Sequence, residues 1–273
     1  MINDYHVHTP LCKHASGRVE DYVKAAEERG LSELGFSDHA PLPVLFDDWR
    51  MDWAELELYQ QWLETGRAVA QKVKIRAGLE VDFFKVPPKG QPENLLEQIV
   101  HCGKWDYLIG SVHYIGNQGS EVAVDDPRHL SRWQSETDVL WMWQEYWSAY
   151  EACIRSGYFD FCAHPDLAKR FKLRPKGDLK RYYEPVIQAF AEKDVVMEVS
   201  TAGWRKDVRE IYPHREMIEL AFAAGVKIIL NSDAHDPLEV GYEYTKALEL
   251  LKEVGYTKTV VFENHQKHLV DLG

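Results

Sequence analysis

Short runs of β-branched and aromatic residues alternate along this chain with longer stretches whose apolar positions recur every three or four residues. The run 2–8 reads as a strand, and 19–29 as a helix with Val19, Tyr22, Val23 and Ala26 on one face. Strands follow at 34–38, 74–83, 107–112, 159–163, 195–200 and 226–231. Helices accompany them at 53–72, 93–102, 139–155, 179–193, 213–224 and 238–254. The strands are short and nearly continuous in apolar residues, as expected when helices cover the outside of a parallel sheet. Seven strand–helix units without a composition break predict one α/β domain spanning 1–273, a TIM-like barrel one unit short of eight. An open doubly wound sheet is the alternative. It would gather its site at one crevice, whereas metal-competent side chains here follow almost every strand.

Composition changes this picture little. Apolar residues make up 45 % and charged residues 28 %, ordinary for a globular protein. The formal charge is −12, and the densest basic stretch, 169–181, is short, which argues against binding to nucleic acid. No apolar run approaches the ~18 residues of a membrane span. Nor does the start, Met-Ile-Asn-Asp-Tyr-His, read as a secretory signal, and a site residue as early as His6 would leave no room for a cleaved leader. Cys12, Cys102, Cys153 and Cys162 show no Cys-x-x-Cys spacing and read as reduced fillers, with the cytoplasm as the expected compartment.

The chemistry sits at the strand ends. In His6-Val7-His8 the two imidazoles lie two residues apart and share the face turned to the barrel interior. Asp233-Ala234-His235 repeats that spacing after another strand, and His39, His113 and His164 close three more. One His-x-His pair is a weak signal, and one strand-end histidine is often a hydrogen-bonded core residue. The recurrence is what points to a multinuclear metal site. Glu80, in the apolar Gly78-Leu79-Glu80-Val81-Asp82, is costly to bury unless paired or metal-bound, and it is placed to bridge two ions. His101, His129, His214, His265 and His268 fall outside the pattern. His14 would look incidental on its own. The long connections 40–52 and 114–133 directly follow ligand candidates and should wall the site.

Asp4-Tyr5-His6-Val7-His8-Thr9, Phe36-Ser37-Asp38-His39, Gly78-Leu79-Glu80, Ser111-Val112-His113, Ala163-His164-Pro165 and Ser232-Asp233-Ala234-His235 resemble the PHP (polymerase and histidinol phosphatase) superfamily, in order and over essentially the whole chain. The passages His39-Ala40-Pro41-Leu42-Pro43 and Ser200-Thr201-Ala202-Gly203-Trp204-Arg205-Lys206 narrow the likeness to its monofunctional histidinol-phosphatase branch. The resemblance implies a distorted (β/α)7 barrel holding three divalent metal ions. One would take His6, His8, Glu80 and Asp233; a second Glu80, His113 and His164; a third His14, His39 and His235. Glu80, Asp233 and His235 are the expected catalytic residues among them. Imidazole with carboxylate suits zinc, iron or manganese, and the ligand types do not choose between them.

Such a cluster implies hydrolysis of a phosphate ester by a metal-bound hydroxide. By the same resemblance Arg170 and Arg205 would clamp the phosphoryl oxygens, the planar guanidinium matching them bidentately. Two clamps suit a terminal phosphomonoester. The implied reaction turns L-histidinol phosphate into L-histidinol and inorganic phosphate, in L-histidine biosynthesis. Another small phosphomonoester or nucleotide, and a non-catalytic metal-stabilised module, are the alternatives. The stretch Tyr114-Ile115-Gly116-Asn117-Gln118-Gly119 and the aromatic Trp204 depart from the branch's usual pattern, and both bear on substrate preference. Asp38, adjacent to His39, points elsewhere, as a partner of the ligands or a general acid.

Overall fold

The computed structural model describes residues 2–273. Strands β1 (Asn3–Val7), β2 (Glu33–Phe36), β3 (Lys74–Asp82) and β4 (Tyr107–Ser111) pair in parallel, each with the next. After β4 the chain makes a small antiparallel hairpin of β5 (Tyr114–Ile115) and β6 (Val122–Ala123) before resuming the main sheet. There β7 (Phe161–Cys162), β8 (Val196–Ser200) and β9 (Ile228–Asn231) complete seven parallel strands in sequence order. Helices α1 (Val19–Glu28), α2 (Leu56–Val69), α3 (Leu95–Val100), α4 (Glu136–Arg155), α5 (Lys180–Lys193), α6 (Arg215–Ala223) and α7 (Tyr244–Val254) accompany the strands. Helix α1 buries the four residues its spacing singles out, Val19, Tyr22, Val23 and Ala26. The fold is the expected α/β barrel of seven strands.

Closure between β9 and β1 is narrow. Val7 and Ala234 form one parallel bridge, with His8 N–H donating to the Ala234 carbonyl at 2.9 Å and Ala234 N–H to that of His6 at 3.1 Å. Side chains replace the rest of the ladder. Tyr5 N–H donates to Asn231 Oδ1 at 2.8 Å, and Ser232 N–H and Gly241 N–H donate to the buried Asp4 carboxyl at 3.0 Å each. These five backbone donors of the seam thus keep a partner although the ladder is incomplete.

The barrel interior divides into a wet mouth and a dry floor. Tyr5, Tyr107, Ile109, Phe161, Val196 and Ile229 fill the floor. Tyr107 reaches across it to donate to the Tyr5 carbonyl at 2.6 Å, and this needs glycine opposite: a Cβ on Gly78 would lie 2.4 Å from the tyrosine ring. A hairpin absent from the sequence reading, β10 (Lys258–Glu263) with β11 (Gln266–Asp271), plugs the floor from below. Its Phe262 stacks on Phe161 at 5.7 Å between centroids and meets Tyr5 and Tyr107 at 6.3 Å.

Several element boundaries differ from expectation, two of them at residues with left-handed backbone. The helix expected over 238–254 is a 3₁₀ turn at Pro237–Glu239 followed by α7, because Gly241 takes φ = 63° between them. The strand expected over 159–163 keeps only Phe161–Cys162, and its carboxyl end stops before His164, where the chain turns with φ = 26°. Phe262→Ala should remove the floor contact and cost about 3 kcal/mol of stability in denaturant unfolding. A loss below about 1 kcal/mol would show that the hairpin is not part of the barrel core.

Candidate metal centre

All nine predicted ligands converge at the carboxyl ends of the strands. Glu80 is their centre. Its strand is locked to the loop after β2 by Ala40 N–H donating to the Glu80 carbonyl at 2.8 Å and Glu80 N–H donating to that of Asp38 at 3.0 Å. Around its carboxylate stand His39 Nδ1 and His164 Nε2 at 2.9 Å, His6 Nε2 at 3.3 Å, His8 Nε2 at 3.5 Å and His113 Nε2 at 3.6 Å. Asp233 faces the same group, 3.2 Å from His8 Nε2 and 3.7 Å from His6 Nε2. The His235 ring lies 4.0 Å from that of His8 and 4.6 Å from that of His14. His14, exposed at the rim, thus joins the set that its sequence position alone would not place it in.

The residues fit divalent ions. His6 Nε2, His8 Nε2, Glu80 Oε2 and His235 Nε2 are buried without a hydrogen-bond partner among the described residues, a costly state for polar atoms. Two ligands bound to one zinc-type ion at ordinary bond lengths lie roughly 2.9–3.4 Å apart, close to the spacings found here. Compatible groupings include His6, His8 with Asp233, His6 with Glu80 and His164, and His8 with His39 and His235. Cys12 also falls within a grouping with His14 and His235. Burial pushes its thiol well above the usual range, with Asp38 adding to the shift.

Electrostatics agree with a site built for cations. Burial would raise the Glu80 carboxyl, but His6, His39 and His113 with the His164 hydrogen bond hold it well below the usual carboxylate range. Burial pushes His39 and His235 well below the ordinary imidazole value. It pushes His113 down too, yet Asp82 and Glu80 overcome it and lift that imidazole to about 10. Two ligands also hold left-handed backbone conformations, His164 at φ = 26° and Asp233 at φ = 52°, strain that persists only where surrounding contacts enforce it.

Carboxylates outside the predicted ligand set brace the centre. Glu198 is fully buried, accepting from His164 N–H at 2.5 Å and from Asn231 Nδ2 at 2.7 Å, and lying 2.8 Å from His6 Nδ1. Asp82 sits 2.8 Å from His113 Nδ1 and is itself held by Arg50 at 2.8 Å. Both carboxylates turn the Nε2 edge of a ligand toward the centre. Asp38 accepts from Thr9 and from His39 N–H, and lies 3.5 Å from His8 Nδ1, so it braces ligands. The five histidines set aside stay outside the centre. Among them His265 pairs with Asp160 at 2.8 Å and His214 caps α6.

Above the predicted ligands opens a cavity of about 330 Å³, lined by Trp49, Asp125, Asp126, Arg170, Lys206, Glu239 and seven of the nine, among others. The two long loops do wall it. Trp49 packs 5.1 Å from His39 and 5.2 Å from His113, with its Nε1 donating to Tyr114 at 2.6 Å. Arg170 lines the cavity, 3.2 Å from Asp125. Arg205 lies behind the wall, its Nη2 donating to the carbonyls of Ser232 and Asp233 at 2.9 Å and its Nε 3.0 Å from Glu239. Its Nη1 is buried with no hydrogen-bond partner among the described residues. Lys206, not anticipated, lines the cavity beside it. Burial pushes its ammonium below the usual lysine range against the pull of Asp233, and Arg170 and Arg205 push the same way.

A parallel barrel with imidazoles crowded round a shared carboxylate at its strand ends is the architecture of a metal-dependent hydrolase. The PHP domain matches residues 4–202, and the chain belongs to the PHP family. It is 36 % identical over 269 residues to the probable histidinol-phosphatase of Deinococcus radiodurans, spanning 97 % of each chain. The histidinol-phosphatase of Bacillus subtilis is 27 % identical, over 90 % of this chain and 98 % of its own. Among solved structures, histidinol phosphate phosphatase from Lactococcus lactis, complexed with zinc, L-histidinol and phosphate, has a TM-score of 0.76 at 20 % identity, covering 98 % of both chains. At that identity the likeness supports the fold alone.

Glu198→Gln should leave a folded barrel whose affinity for zinc or manganese falls about 10- to 100-fold, measured by titrating metal into chelator-treated protein. Unchanged affinity would contradict the positioning of His6 and His164 by this carboxylate.

Proposed function

We propose that the chain is a metal-dependent phosphomonoesterase that hydrolyses L-histidinol phosphate to L-histidinol and inorganic phosphate in L-histidine biosynthesis, with residues 1–273 acting as one domain. The observation that carries the reaction class is Glu80, set against five imidazoles beneath a cavity walled by Arg170 and Lys206. The choice of ester rests on the whole-length likeness to the Deinococcus enzyme.

Three ions divide the ligands in this reading: His6, His8, Glu80 and Asp233 hold one, Glu80, His113 and His164 a second, and His14, His39 and His235 a third. Zinc, iron and manganese all suit imidazole with carboxylate. Bound there, they supply Lewis-acid charge to the phosphoryl oxygens and acidify water for attack on phosphorus.

The chain's own residues do the rest. Glu80, Asp233 and His235 take the catalytic role among the ligands in this reading. Arg170 grips the free phosphoryl oxygens and Lys206 adds a point charge beside it, whereas Arg205, which does not line the cavity, is left a supporting role in place of the expected clamp. Through its Nη2 Arg205 holds the carbonyls of Ser232 and Asp233, fixing the turn that carries Asp233 and His235. Trp49 covers His39 and His113 and keeps bulk water from that side of the cavity. A cavity of this size admits a small monoester.

Steady-state hydrolysis of L-histidinol phosphate beside a panel of phosphomonoesters and diesters tests the reading. L-histidinol phosphate should give the highest kcat/KM, and His235→Ala should lower its kcat at least about a hundredfold in a protein that still folds. Equal or better turnover of a nucleotide diester would contradict the assignment, and full activity in His235→Ala would refute the site.

A further inference from the structure

Among the described residues, five carboxylates line the cavity: Glu80, Asp125, Asp126, Asp233 and Glu239. Four are committed. Glu80 and Asp233 face the imidazoles. Asp126 accepts from the N–H of Arg128 at 2.8 Å and from its Nε at 2.7 Å. Glu239 accepts from His235 N–H and pairs with Arg205, both at 3.0 Å. Asp125 differs. Its Oδ2 meets Arg170 Nη1 at 3.2 Å, while its Oδ1 is withdrawn from solvent without a hydrogen-bond partner. The side chain is 12 % exposed, and such an oxygen is costly to leave unpaired.

We propose that Asp125 is the specificity determinant that receives the ammonium group of a β-amino-alcohol phosphate. This rests on the phosphomonoesterase reading above and adds to it the residue that recognises the non-phosphate part. In such an ester the ammonium nitrogen is two carbons from the ester oxygen, a span of roughly 3–4 Å at standard bond lengths. The acceptor of that ammonium must therefore stand beside a group that grips the phosphoryl oxygens. Asp125 does so, with one oxygen on Arg170 and the other without a hydrogen-bond partner among the described residues. Its position is also fixed from the metal side, because the preceding residue, Val124, donates its N–H to the His113 carbonyl at 2.9 Å.

An ammonium offers Oδ1 a charge-assisted hydrogen bond. An ester without one leaves a carboxylate oxygen unpaired close to a phosphoryl dianion, so the same side chain that favours the amino ester penalises simpler esters. Lys206 complements it. This cation lines the same cavity with no hydrogen bond or ion pair among the described residues, so the two uncommitted charges match a substrate that carries both signs.

Asp125→Asn is nearly isosteric: its carbonyl can still accept from Arg170, and its amide would turn a donor toward the ammonium. Wild type and variant are compared on L-histidinol phosphate and on its deamino analogue, imidazolylpropyl phosphate. The wild type should prefer the amino ester. In the variant, kcat/KM for the amino ester should fall roughly 10- to 100-fold while that for the deamino ester changes less than about threefold. Inhibition by L-histidinol should weaken in parallel, and inhibition by inorganic phosphate should not. An equal fall on both esters would show that Asp125 acts only through Arg170 and would overturn the subsite alone, as would no fall on either. A wild type that hydrolyses neither ester refutes the substrate reading and the subsite with it.

Discussion

One buried carboxylate organises the active end of this barrel. Glu80 has two oxygens, and five imidazole nitrogens stand within 3.6 Å of them. Protons alone do not resolve that arrangement. Two like charges 4 Å apart repel by about 4 kcal/mol even at an effective dielectric constant of 20, so the imidazoles cannot all be protonated. The directions of their shifts show the conflict: His6 and His113 lie above the ordinary imidazole value, against the effect of burial, while burial carries His39 and His235 below it. Neutral rings, in turn, would aim lone pairs at a carboxylate. Divalent cations between them satisfy both partners at once, which is why the centre reads as a metal site rather than a hydrogen-bonded core.

The surrounding structure holds these ligands in place against strain. Glu198 and Asp82 orient His6 and His113 through the nitrogen facing away from the centre, and Glu198 also anchors the strained backbone of His164. Arg205 does the same for the turn at Asp233. The seam between β9 and β1 ties the two His-x-His and Asp-x-His segments together by the bridge of Val7 with Ala234, so barrel closure and site assembly are the same event. Below, the aromatic floor separates this charged mouth from the C-terminal hairpin.

Much of this was legible in the chain. A histidine or carboxylate closing an apolar run is a strong signal when it recurs, and it pointed to eight of the nine residues that converge on the centre; His14, in a loop, was reached only through family resemblance. The same signal was present at Glu198, a lone carboxylate in the apolar strand Val196–Ser200, and was passed over. Asp125 and Lys206 lie in irregular segments, where sequence spacing carries no direction for a side chain. The β10–β11 hairpin escaped because β11 is mostly polar and exposed, and only the inner strand, with Val260 and Phe262, bears a core pattern. For Arg205, neighbouring residues in one sequence motif gave no hint that its guanidinium turns back onto the ligand turn while Lys206 faces the cavity.

The central claim is that Glu80 and its imidazoles are assembled around metal ions. Elemental analysis of the protein purified without added metal tests it most directly, with Glu80→Gln measured alongside. About three equivalents of zinc, iron or manganese per chain are expected in the wild type, with at least about two lost from a folded Glu80→Gln protein. A wild type that retains full phosphatase activity with less than about one equivalent would contradict it.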